Sequence, residues 1–153
     1  MRIFLDANIL FSAARSAGAI RRFLELLHDA GHECWVDGFV VAEARRNLDL
    51  KAPGADAFLE RLLQRLRVAA LHPPAAEVDA TLPLAEKDRP VLAAAIRHGC
   101  HALVTGDRTH FGALCGRTVR GVTIHSPRSL AEVLLPPRAA RRPGPGVDLE
   151  GTP

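Results

Sequence analysis

The chain has 153 residues, 48% of them hydrophobic, and a formal net charge of +3. That length and apolar content make one domain with a full core and exclude a wholly disordered chain. No apolar run approaches the ~20 residues of a membrane-spanning helix, and Asp6 and Asn8 cut the opening run too short for a secretion signal, so a soluble cytoplasmic protein is expected.

In chain order, Arg2–Leu5 reads as a buried parallel strand, with Ile3, Phe4 and Leu5 apolar in succession. Asn8–Ala14 reads as a short helix. Gly18–Ala30 is a clearer helix, because Ile20, Phe23, Leu24 and Leu27 recur at helical spacing and Gly31 stops it. Glu33–Val36 is a second strand, after which Asp37 or Gly38 caps a helix to about Leu48. Pro53-Gly54 breaks the chain. Ala55–Leu66 is then amphipathic, and its stripe Phe58–Leu66 reads as core, with a dimer or partner surface as the alternative. Arg67–Leu71 is a candidate strand ended by His72-Pro73-Pro74, Ala75–Ala80 a short helix, and Leu84–Asp88 a loop. Arg89–His98 is a helix with Pro90 in its first turn. Ala102–Thr105 and Val122–His125 are strands, and Ser126-Pro127 starts a last helix to about Leu135. Strands alternating with helices predict an α/β fold with a parallel sheet. Residues 136–153, rich in Pro, Gly and Arg, bury no core and are expected to form a disordered tail to a domain spanning 1–135.

Cys34, Cys100 and Cys115 are odd in number and have no metal-knuckle spacing, so reduced thiols are expected. His98-Gly-Cys-His101 is too tight for a usual zinc pattern. Positive charge is nearly all arginine, with lysine only at Lys51 and Lys87. Arginine suits bidentate phosphate contacts, although a GC-rich genome produces the same bias.

Four carboxylates carry the chemistry: Asp6 after the first strand, Glu43 in a helix, Asp88 at a helix start, and Asp107 after a later strand. In an open parallel sheet, ligands bind beyond the carboxyl ends of the strands, and Asp6 and Asp107 both sit there. Gathered acids repel one another unless a cation stands among them, most simply a divalent metal. Each has a structural alternative: Asp6 and Asp88 as helix caps, Asp107 as a turn residue. Glu43 is hardest to dismiss, because Phe39, Val40 and Asn47 place it beside an apolar stripe, although Arg46 offers it a surface partner. Asn8 and Thr105 are expected to orient the acids by hydrogen bonds. Arg45, Arg46 and Arg108 flank acids and are candidates for phosphate contacts, with solvated arginine the simpler reading of each. His110 lies near the fourth acid and is read as a surface residue or phosphate contact.

Together these segments resemble the PIN-domain ribonuclease family, which includes the VapC-type toxins of bacterial toxin–antitoxin pairs. The resemblance rests on Ile3-Phe-Leu-Asp-Ala-Asn-Ile-Leu-Phe, Val40-Val-Ala-Glu-Ala-Arg-Arg-Asn-Leu, Lys87-Asp-Arg-Pro-Val-Leu and Leu103-Val-Thr-Gly-Asp-Arg-Thr-His-Phe, in order, with Gly121–Leu130 as a final strand and helix. It covers about residues 1–135. One departure is Thr109, where many members carry a further acid, which makes one metal a safer expectation than two. The resemblance implies a three-layer fold, a central parallel sheet flanked by helices, and cleavage of single-stranded RNA dependent on Mg²⁺ or Mn²⁺. It implies Asp6, Asp88 and Asp107 as metal ligands and Glu43 as a ligand or as the group orienting the attacking water. It further implies 5′-phosphate and 3′-hydroxyl products, an antitoxin partner and a homodimer.

Two rivals remain. A phosphoacceptor receiver domain expects adjacent acids after the first strand and a late lysine, but this chain has Asp6-Ala7 and no lysine after Lys87. A non-catalytic module of the same fold, binding RNA or a protein, is disfavoured by the presence of all four acids.

Overall fold

Ile3, Phe4 and Leu5 of the opening strand have no solvent exposure, which requires cover on both faces of the sheet. The computed structural model describes residues 1–71 and 78–135 and provides that cover. Strands β1 (Arg2–Leu5), β2 (Glu33–Asp37), β3 (Arg67–Ala69), β4 (Ala102–Val104), β5 (Thr118–Val119) and β6 (Val122–His125) form one sheet in the order β3-β2-β1-β4-β6-β5. All pairings are parallel except that of β5 with β6. Around it stand α1 (Ala7–Arg15), α2 (Ala19–Asp29), α3 (Gly38–Lys51), α4 (Asp56–Leu63), α5 (Arg89–Arg97), α6 (Arg108–Phe111) and α7 (Pro127–Leu134). The expected α/β architecture, a central parallel sheet flanked by helices, is the one observed.

The connections leaving β1 run to β2 and β3 on one side, whereas β4 feeds β6 on the other. The chain therefore reverses direction between β1 and β4, which pair in register from Ile3–Ala102 to Leu5–Val104. A crevice opens at such a switch point, outside the carboxyl ends of the two strands. Asp6 N–H donates to Val104 O at 3.0 Å and Thr105 N–H to His125 O at 3.0 Å, so both strand ends are tied together where the crevice begins.

Several elements depart from expectation. Helix α4 ends at Leu63, because Arg65 N–H and Leu66 N–H turn to the carbonyls of Leu62 and Leu63 and tighten the chain toward β3. Its stripe is core: Leu59 is fully buried, and Phe58, Leu62, Leu63 and Leu66 lie against the same cluster. The expected loop 84–88 contains a 3₁₀ turn at Glu86–Asp88. Of the helix expected at 75–80, residues 75–77 lie outside the described residues and 78–80 are not helical. The tail 136–153 also lies outside them. Two elements had no counterpart in the sequence reading, α6 and β5. The β5–β6 hairpin turns through Arg120 (φ 47°) and Gly121 (φ 88°), two consecutive left-handed residues whose twist matches that of a tight hairpin.

Candidate active site

Asp6 follows the last residue of β1 and is 6% exposed. Its Oδ1 accepts from Ala7 N–H at 2.7 Å, which makes it the cap of α1. Its Oδ2 accepts from Thr105 Oγ1 at 2.7 Å and from Asn8 Nδ2 at 3.0 Å. Thr105 is itself buried just past β4, and its Oγ1 also accepts from Asp107 N–H at 3.0 Å. Asn8 Oδ1 in turn accepts from Gly106 N–H at 2.8 Å. One network therefore joins the end of β1 to the end of β4. The capping role of Asp6 and its site role are simultaneous, since they use different oxygens.

Asp107 caps α6, accepting from Thr109 N–H at 2.9 Å and His110 N–H at 3.0 Å on Oδ1. Its Oδ2 meets His110 Nδ1 at 2.5 Å, and the same nitrogen stands 3.7 Å from Asp88 Oδ2. His110 thus connects the third and fourth acids. This differs from the expectation of a surface residue or phosphate contact at His110. The available signal was its position three residues after an acid at a helix start, where side chains share a face. Asp88 precedes α5 without capping it: its backbone is already helical and its side chain makes no cap bond. Its Oδ2 is buried and has no hydrogen-bond partner among the described residues. The bland explanation for Asp88 is thereby removed. Glu43 lies half-buried on α3, and its side chain makes no ion pair or hydrogen bond with a described residue, so the alternative pairing with Arg46 is not made. Arg45 is occupied elsewhere, 2.7 Å from Glu60.

The electrostatics show how closely the acids communicate. Burial pushes the Asp6 carboxyl up to about 6; the bonds from Thr105 and Ala7 oppose this, and the charges of Glu43 and Asp88 add to it. Burial likewise raises Asp88, with the Asp107 charge adding and His110 and Lys87 opposing. For Asp107 burial acts upward, but hydrogen bonds and charge from His110 outweigh it and hold the carboxyl below its ordinary value. The charges of Glu43 and Asp88 reach Asp6 and that of Asp107 reaches Asp88, a chain of like charges that favours a bound cation, and oxygen donors suit a hard one. The orphaned Asp88 Oδ2 and the raised Asp6 fit a divalent ion in chemistry and in charge. Among the described residues, no three His, Cys, Asp or Glu side chains are already arranged to hold a metal between them.

These features define an open α/β domain with an acidic crevice at its switch point. A sequence model of the PIN domain family matches residues 2–109, and the chain belongs to that family. No curated protein sequence matches it. Among solved structures, VapBC2 from Rickettsia felis bound to a DNA fragment from its promoter is similar at a TM-score of 0.61 and 18% identity, over 82% of this chain and 98% of that one. FitAcB from Neisseria gonorrhoeae is similar at 0.55 and 22%, with the same coverage of both chains. At these identities the likeness concerns the fold. Among the described residues, no helix is long and apolar enough to cross a membrane.

Proposed function

We propose that this protein is a metal-dependent endoribonuclease that cleaves single-stranded RNA, acting in the cytoplasm as the toxin of a toxin–antitoxin pair. The observation that carries this reading is the buried Asp6, held by Thr105 and Asn8 and raised to about 6 among other carboxylates. A buried acid left unpaired among acids weakens a fold, and a site for a cation gives it a purpose. Asp6, Asp88 and Asp107 would hold Mg²⁺ or Mn²⁺. Such an ion, when bound, polarises a phosphoryl oxygen and lowers the pKa of a water. Thr105 and Asn8 fix the direction of the Asp6 carboxylate, and Glu43 would be a further ligand or would orient the attacking water. Arg108 supplies positive charge for the polyanionic strand. The toxin role draws on the likeness to VapBC2 and FitAcB and implies a small antitoxin partner; a homodimer belongs to the same reading.

The test is cleavage of a generic single-stranded RNA with Mg²⁺ or Mn²⁺, compared with chelator and with Asp6→Asn. Cleavage confined to the metal-loaded wild type supports the reading; equal cleavage by the variant ends the active-site assignment. Growth arrest on expression, relieved by the product of an adjacent gene, tests the toxin role. A second reading, a non-catalytic module binding RNA or protein, is favoured by the side chain of His110 bound to Asp107 and standing near Asp88. RNA binding without metal-dependent cleavage selects it.

A further inference from the structure

On the β6 side of the acidic crevice lies a cleft of about 310 Å³, lined by Thr105, Asp107, Arg108, Phe111, Cys115 and Ser126. Thr105 and Asp107 belong to the acid network, and the remaining walls come from α6, the turn after it and the start of α7. The cleft is therefore continuous with the site yet built by elements that hold none of the other three acids. Phe111, 1% exposed, lies beneath the floor of the cleft, and the open surface of the cleft belongs to Arg108, Gly112 and Cys115. Arg108 is exposed, and its guanidinium makes no hydrogen bond or ion pair with a described residue. This distinguishes it from Arg21, which donates to the carbonyls of Ala13 and Ala14, and from Arg45, bound to Glu60. An arginine without internal work at the mouth of a base-sized cleft, beside acids, has the chemistry of a nucleotide seat. The base enters the cleft, its phosphate meets the guanidinium, and the next phosphate falls among the acids. The volume is at the low end for small-molecule sites, about 300–1,000 Å³, and suits one base and no more.

We infer that this cleft seats the nucleotide next to the phosphate to be cleaved, with Arg108 on that nucleotide's own phosphate. The placement relative to the cleaved bond rests on the nuclease reading. The cleft has a built-in reporter. Cys115 lines it and is exposed, whereas Cys34 and Cys100 are buried, so a thiol reagent reads the cleft. It also has a position at which to close it. A Cβ at Gly112, another lining residue, meets none of the described residues within 4 Å, and its φ of −55° accepts any side chain.

The experiment follows alkylation of Cys115 in the full-length Asp6→Asn variant, with Mg²⁺, with and without a short single-stranded RNA. Alongside it, cleavage by the wild type is compared with Arg108→Ala and Gly112→Leu. RNA should slow alkylation at least tenfold, and adding Arg108→Ala should abolish that protection at the same RNA concentration. Both cleavage variants should raise KM at least fivefold, and Gly112→Leu should do so with an undiminished Tm. If the wild type cleaves RNA but saturating RNA leaves the alkylation rate unchanged, the cleft assignment is overturned and the nuclease reading stands. If RNA protects Cys115 in a protein that cleaves nothing, the nuclease reading falls and the cleft remains a nucleotide seat of a binding module. Neither protection nor cleavage overturns both.

Discussion

Asp6 accepts three hydrogen bonds and still holds its proton up to about 6, against an ordinary 3.8. Folding therefore takes up a proton between those values. The carboxyl's contribution to stability falls as pH rises through that window and stays at its lower level above it. About two units correspond to roughly 3 kcal/mol at neutral pH. Asp6→Asn removes this penalty but can accept on one oxygen only, which gives back about 1 kcal/mol. In chelator at pH 7.5 the variant should be more stable than the wild type by about 1–2 kcal/mol by urea unfolding, with the advantage gone at pH 4; a less stable variant at both pH values would show that burial is not the dominant influence. Thr105→Val keeps the shape but leaves Asp107 N–H and the Asp6 carboxylate each short of a partner. It should cost about 1.5–3 kcal/mol and reduce cleavage, with Thr105→Ser restoring most of both. The positions of Asp6, Asn8, Thr105 and Asp107 were legible in sequence because they flank strand ends. The approach of His110 to Asp88 was not, because the two are 22 residues apart and only the fold brings them together, whereas its bond to Asp107 is local.

At the scale of elements, periodicity and punctuation read the long pieces well. β1 and β6 fall on their expected residues, and α2, α3, α5 and α7 fall within about one turn of theirs. What was hidden is short. α6 has four residues and β5 two, below any length at which a hydrophobic period can be recognised. β5 exists because Arg120-Gly121 turns the chain back on β6, and the dipeptide lacks the Asn or Asp that advertises such a turn. Gly121→Ala forces a Cβ into a left-handed conformation while meeting no neighbour within 4 Å, so its cost is backbone strain alone, about 1 kcal/mol. Thermal unfolding should detect that loss, and an unchanged Tm would mean the turn relaxes freely. Asp37 is a second test at this scale. It is buried and caps α3, accepting from Val40 N–H at 3.0 Å. Asp37→Ala should destabilise by about 1–2 kcal/mol in urea unfolding, and a neutral result would place the start of α3 under the control of packing instead of its cap.

At the scale of the molecule, sheet order decides where the acids meet. A parallel α/β domain was legible from the alternation of strands and helices, but sequence cannot order the strands, and it is the adjacency of β1 and β4 that puts Asp6 beside Thr105 and Asp107. The side chains there are not yet arranged as a chelate, and His110 contacts Asp107 in the interior of the cluster. Occupation by a divalent ion would offset the burial, and the smaller repulsion, that raise Asp6 and Asp88, and an ion that binds only the folded chain must stabilise it. At one hundred times its Kd the gain is about 2.7 kcal/mol, which for a chain of this size raises Tm by roughly 5–10 °C. Mn²⁺ should therefore raise the wild-type Tm in a saturable way at pH 7.5, by less near pH 5, where Asp6 is largely protonated, and hardly at all in Asp6→Asn. A comparable rise in wild type and variant would mean that the ion acts elsewhere on the surface, and the crevice would then lose its claim to a metal while keeping its hydrogen-bonded architecture.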